Sequence, residues 1–176
     1  LGPQLMKLFE LTPQEFSLLI SIYAFSAGVF SFLASFIIDH YDRKNFLIFL
    51  CCGIGLATLL CALSFDYYLL LLARMVAGGF SGVLSATIFT IIADITPTHR
   101  RGNATGTVMS AFSAVAVIGM PFGMLLVNLF SWRAPFLFLT LLSIIMISLA
   151  VWLLPVLRDH LKHRQQRNPA QHLRTI

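Results

Sequence analysis

Charge is scarce in this 176-residue sequence: Asp, Glu, Lys and Arg together make up 11%, where a soluble domain carries roughly 25%. Cysteine is scarce too. Cys51, Cys52 and Cys61 fall in a single apolar stretch and read as small buried hydrophobes, not as a metal or redox set. The histidines (His40, His99, His160, His163 and His172) have no metal-ligand spacing, and no acid/base pair or nucleophile cluster occurs at one depth. Those absences argue against an enzyme, and no cofactor or metal is expected. The net charge of +5 is not spread over an aromatic-interleaved basic surface, which excludes nucleic acid as a partner. No filter-like loop interrupts an apolar stretch, which argues against a channel. The sequence opens on Leu1 and not on Met, so further sequence is expected upstream.

Apolar sequence, by contrast, is abundant, at 58% of residues. Five stretches carry no Asp, Glu, Lys or Arg: Phe16–Ile38, Asn45–Phe65, Met75–Ala93, Gly102–Trp132 and Ala134–Leu157. Each is long enough to cross about 30 Å of hydrocarbon as a helix, which needs roughly 20 residues. A soluble core cannot absorb five such segments, and a secretory signal would be one short segment. The expected fold class is therefore all-α, a polytopic membrane helical bundle whose partner is the lipid bilayer. The helices are placed at about 16–38, 46–65, 68–93, 104–129 and 135–154, in one bundle over residues 1–157. Residues 158–176 form a basic cytoplasmic tail or the start of a linker. Thr12, followed by Pro13 and Glu15, supplies a capping hydroxyl, a proline at the first helical position and an acid at the third.

Orientation follows from Lys and Arg. Arg43, Lys44, Arg100, Arg101, Arg158, Lys162, Arg164, Arg167 and Arg174 fall on one side, against Lys7 and Arg133 on the other. The first side is expected in the cytoplasm, with the N-terminus outside. Small residues recur at four-residue spacing: Ala24/Gly28 and Ala27/Ser31/Ser35, then Gly78/Gly82/Ala86, then Gly106/Ser110/Ala114 and Gly119/Gly123. In lipid such faces permit close backbone approach, so a densely packed body is expected.

A few polar groups stand out. Asp39 closes the first helix and Arg43 and Lys44 open the second, each at the end the helix dipole disfavours. Opposite charges on neighbouring helices would compensate, and Asp94 is the candidate partner for Arg43. Arg74 lies well inside its helix, where an arginine costs several kcal/mol unless it snorkels, pairs or faces water. No acid within the helices obviously pairs with it, and the following run Gly78-Gly79-Phe80-Ser81-Gly82 suggests a polar cavity or a close partner helix. Pro121, between Gly119 and Gly123, removes a backbone donor and predicts a kink.

These residues resemble the N-terminal half of a major facilitator superfamily transporter, starting at the end of its first transmembrane helix. The family signature Gly-x-x-x-Asp-Arg-x-Gly-Arg-Arg reads here Ser35-Phe36-Ile37-Ile38-Asp39-His40-Tyr41-Asp42-Arg43-Lys44. Asp39, Arg43 and Lys44 match; Ser35, His40 and Asp42 depart. Arg74 with its following glycines matches the fourth helix of the family, and Ala93 to Ala104 resembles the loop into the fifth. Gly119-Met120-Pro121-Phe122-Gly123 is a shifted form of the antiporter motif Gly-Pro-x-x-Gly, similar to that of sugar, purine and drug efflux branches. The resemblance implies that the five helices are the second to sixth of the family, with helix one and a C-terminal six-helix half as missing partners. It implies a proton-coupled exporter of small organic solutes in a bacterial inner membrane, working by alternating access. Asp39, Arg43, Lys44 and Asp94 would form an inner gate, Arg74 would serve coupling or substrate, and Gly119, Pro121 and Gly123 would shape the fifth helix. These 176 residues alone are not expected to transport. An importer or facilitator of the same superfamily is the alternative; a membrane-embedded regulatory or assembly protein is the alternative of another class.

Overall fold

The structure, a computed structural model, describes Met6, residues 9–36, Ile38 and residues 43–153. Five helices account for most of it: α1 (Pro13–Ala34), α2 (Arg43–Leu63), α3 (Tyr67–Ile95), α4 (Arg101–Leu129) and α5 (Ala134–Leu153). A 3-10 turn at Thr98–Arg100 leads into α4. All five helices are long and apolar enough to cross a membrane. The tail expected over 158–176 lies outside the described residues.

The boundaries follow local chemistry. At the start of α1 the Glu15 N–H donates to Thr12 Oγ1 at 3.3 Å, while the Thr12 N–H donates to Glu15 Oε2 at 2.8 Å. This reciprocal capping box is the one the sequence predicts, and it satisfies two otherwise orphaned donors. The helix stops at Ala34, four residues short of the expected Ile38. Just past this end the Ser35 hydroxyl donates to the Phe32 carbonyl at 2.6 Å. Pro121 sits inside α4, which runs as one helix from Arg101 to Leu129. The proline thus does not divide the segment, in keeping with the tolerance of membrane helices for proline.

α3 is the organising element, with α1 on one side and α2 on another; α2 in turn lies along α5. Two small cores result. Leu19, Cys61, Ala62, Leu70, Ala73, Trp132 and Phe136 cluster at one end, and Ala34, Ile38, Leu50 and Val83 at the other. Many large apolar side chains are exposed, among them Phe25, Phe32, Leu56 and Ile144, as expected where lipid is the solvent. Packing and interhelical polar bonds must then hold the helices together. The Tyr23 hydroxyl donates to Ser81 Oγ at 2.8 Å between α1 and α3. The Tyr67 hydroxyl donates to the Glu15 carbonyl at 3.2 Å between the same helices. Thr58 Oγ1 and Thr140 Oγ1 lie 3.1 Å apart between α2 and α5.

The small-residue faces part company here. Gly78 and Gly82 of α3 lie directly on the α1 backbone at Tyr23 and Ala27. A Cβ on Gly82 would come within 2.7 Å of the Ala27 carbonyl carbon. The Ala24/Gly28 face of α1 and the α4 faces do not pack as expected: Ala24 and Gly28 are exposed, and Gly106 and Gly123 have open space where a Cβ would be. Val127 is the one buried residue of α4, which touches α3 and α5 only lightly.

Candidate functional site

Arg74 is the charged group that the fold places deepest. It follows the first residue of α3 by seven positions, about 10 Å along the helix axis. Its side chain is half-buried and turned inward, with the guanidinium carbon 5.8 Å from the Tyr23 ring centroid on α1 and 5.4 Å from that of Phe136 on α5. Both distances are those of cation–π contacts, worth about 2 kcal/mol or more when desolvated. Among the described residues the guanidinium makes no hydrogen bond and no ion pair.

The surrounding positions are fixed independently. Tyr23 is held by its bond to Ser81, about two turns along α3 from Arg74. Ser26 donates to the Tyr23 carbonyl at 3.0 Å, where Gly78 of α3 leaves room for close approach. Phe136 is buried against Trp132, with ring centroids 6.3 Å apart. Ala73 and Ala77, both buried, keep the facing side of α3 narrow. The result is a cation whose ring neighbours are held by contacts of their own.

The expected charge network is only partly visible. Asp39 and the Arg43 side chain lie outside the described residues. Asp94 is exposed in the last turn of α3. Lys44 reaches α5, its Nζ donating to the Val151 carbonyl at 3.2 Å. Gly119, Pro121 and Gly123 lie in the second half of α4, where Gly119 and Pro121 are exposed. The structure therefore does not bring these three residues to Arg74.

Sequence reasoning singled out Arg74 but missed Tyr23 and Phe136. Each is an ordinary aromatic in an apolar run, and only the packing of α1 on α3 and of α5 along α2, beside α3, brings them to Arg74. It also missed an apolar cavity of about 440 Å³ between α1, α2 and α3, walled by Phe30, Phe46, Phe49, Met75 and Phe80. Glycines make space there: Phe30 lies over Gly79 and Phe80 over Gly53. Just before α5, at the same end as Phe136, Arg133 stacks near Phe65 and Trp132, at 5.4 and 5.2 Å.

A membrane-length helical bundle with a half-buried, unpaired arginine defines a polytopic membrane protein with a charged interior position. The chain belongs to the Major Facilitator Superfamily, whose family model matches residues 1–175. This is a family of transporters, not of enzymes. The chain is 26% identical over 147 residues to a probable sugar efflux transporter of Pasteurella multocida, covering 84% of this chain and 36% of the relative. It is 25% identical over 130 residues to a probable sugar efflux transporter of Helicobacter pylori, covering 74% and 33% respectively. Over 115 residues it is 30% identical to the vacuolar membrane amino acid uptake transporter fnx2 of Schizosaccharomyces pombe, covering 65% and 20%. The chain thus spans well under half the length of these relatives.

Proposed function

We propose that the chain is part of a secondary transporter that exports small organic solutes, coupled to protons and working by alternating access. The observation that supports this most is Arg74: a permanent charge held about 10 Å inside a membrane helix, flanked by rings and without a counter-charge among the described residues. The efflux relatives favour the outward direction. In this reading the five helices are the second to sixth of a twelve-helix transporter, and the open face of α4 is where further helices of the complete bundle seat. The excess of Lys and Arg at the α1–α2 and α3–α4 connections and in the tail supports a cytoplasmic location for that side, with the start of α1 outside, and the bacterial efflux relatives support a bacterial inner membrane. Asp39, Arg43, Lys44 and Asp94 make the inner gate, closing the cytoplasmic side in the outward-facing state. Gly119, Pro121 and Gly123 shape α4 and limit leak. Rocking of this bundle against a second one would expose Arg74 to each side in turn.

The test is gradient-driven flux in proteoliposomes. The complete transporter is expected to move solute against an imposed proton gradient, to lose that flux on Arg74→Gln, and to show coupling between positions 43 and 94 in a double-mutant cycle. These 176 residues alone are expected to give no saturable flux. Unchanged gradient-driven flux in the Arg74→Gln protein would overturn the role given to Arg74. A second reading, uptake, draws on the fnx2 relative; the direction of flux under opposite gradients separates the two.

A further inference from the structure

We propose that the apolar cavity between α1, α2 and α3 holds one acyl chain of a membrane phospholipid. The reading rests on the membrane-spanning fold, not on the direction or the solute of transport. α1 and α2 each pack on α3, and the cavity is the groove left between them. Ala34, Leu50 and Val83, all buried, form its floor and belong to the second of the two small cores. Phe30, Phe49 and Met75 stand at its rim and are exposed, so the groove opens sideways, out of the bundle. Gly79 under Phe30 and Gly53 under Phe80 let the rings lie back and leave the middle free. Phe49 meets Phe80 edge-on, with ring centroids 5.8 Å apart, which steadies one wall. Among the described residues no part of the lining comes from α4 or α5, whereas the face left open to further helices is that of α4.

Depth selects the occupant. α2 has 21 residues, which makes it close to the ~30 Å thickness of the hydrocarbon, so Gly53 at its midpoint lies near the middle of the membrane. The groove runs from Phe46, in the first turn of α2, inward to Met75 and to Phe80 over Gly53. That is the depth of one leaflet, and so the reach of one acyl chain. Arg43 and Lys44 open α2 one turn above Phe46 and put positive charge at the level of the lipid phosphates. The described lining residues are all apolar, so a sugar or a charged solute would lose its hydrogen bonds there without replacement. Water finds no partner either. In lipid, helices are held by packing and not by a hydrophobic drive. An empty space of about 440 Å³ would forfeit contacts that an acyl chain restores.

The test is photolabelling of the detergent-solubilised chain with a phosphatidylcholine that carries a diazirine halfway along one acyl chain. At one equivalent of probe, labelling at Phe49 and Met75 is expected to exceed that at Phe25 and Ile144 at least about tenfold. Phe25 and Ile144 are exposed elsewhere on α1 and α5 and report ordinary surface lipid. Native mass spectrometry is expected to find one phospholipid retained per chain. Val83→Phe fills the floor of the groove and is expected to remove both signals, together with any gain in thermal midpoint on adding lipid. If Val83→Phe does not fold, Val76→Phe at the rim decides, read beside its thermal midpoint. Equal labelling at all four positions would mean surface lipid alone and overturn the proposal. So would selective labelling that survives the substitution in folded protein. Loss of the Phe49 and Met75 signal in the complete transporter would assign the groove to a further helix and overturn it as well. Gradient-driven flux without a retained lipid would leave the transporter reading standing and this one fallen. A retained lipid in a complete protein without flux would do the reverse.

Discussion

α3 and α4 are the same length, 29 residues, and both carry small residues at four-residue spacing, yet they end in opposite environments. On α3, Leu70, Ala73, Ala77, Gly78, Gly79, Gly82, Val83 and Thr87 are buried; on α4, only Val127 is. The difference lies in the partner and not in the pattern. Gly78 and Gly82 meet the α1 backbone, whereas Gly102, Gly106 and Gly123 meet nothing and Gly119 meets only Val115 of its own helix. A stripe of small residues thus records the capacity for close approach; a contact requires a second helix to use it.

The largest effect expected from this comparison is at Gly82. Gly82→Val places branched carbons where the Ala27 carbonyl already lies, and backbone cannot turn aside as a side chain can. The α1–α3 contact must open, at about 3 kcal/mol, the upper end for overpacking. In detergent the thermal midpoint should fall sharply and the Tyr23–Ser81 bond should be lost. Gly53→Ala is the milder counterpart on α2, because the new Cβ meets the Phe80 ring, the movable end of a side chain. Its cost is expected near 1 kcal/mol; an equal loss at both sites would mean that ring and backbone yield alike, contrary to the contrast drawn here.

Thr58 and Thr140 come next. Their hydroxyls are within 3.1 Å of each other, but each also reaches a carbonyl of its own helix, Ile54 and Phe136 respectively. The cross-helix bond therefore competes with a local one, and the coupling energy in a Thr58→Val, Thr140→Val cycle is expected at about 0.6 kcal/mol. Unfolding of the two single variants and the double variant measures it directly.

The membrane-bundle class and the five helices could be read from the sequence because five uncharged stretches of spanning length admit few other folds. The Thr12–Glu15 cap was equally legible, since its chemistry is confined to four residues. The end of α1 was not: nothing in the apolar run from Phe16 to Ile38 marks a stop at Ala34. Arg74 stood out by its cost in lipid. Tyr23 and Phe136 did not, because they lie 51 residues before and 62 residues after it in sequence, and only the packing order α1–α3–α2–α5 makes them neighbours.

The substitutions expected not to destabilise are the most discriminating. Gly106→Ala and Gly123→Ala on α4 add a methyl group to open space. Helix propensity alone would favour the change by up to about 1 kcal/mol, and no packing opposes it within these five helices. The thermal midpoint of the 176-residue chain should therefore hold or rise slightly. In the complete transporter the same substitutions meet whatever helix lies along α4. If flux or stability falls there while the 176-residue chain is unaffected, the open face is an interface waiting for its partner, as Gly78 and Gly82 are an interface already filled. If both proteins are indifferent, the small residues of α4 face lipid, and their spacing has no packing role at all.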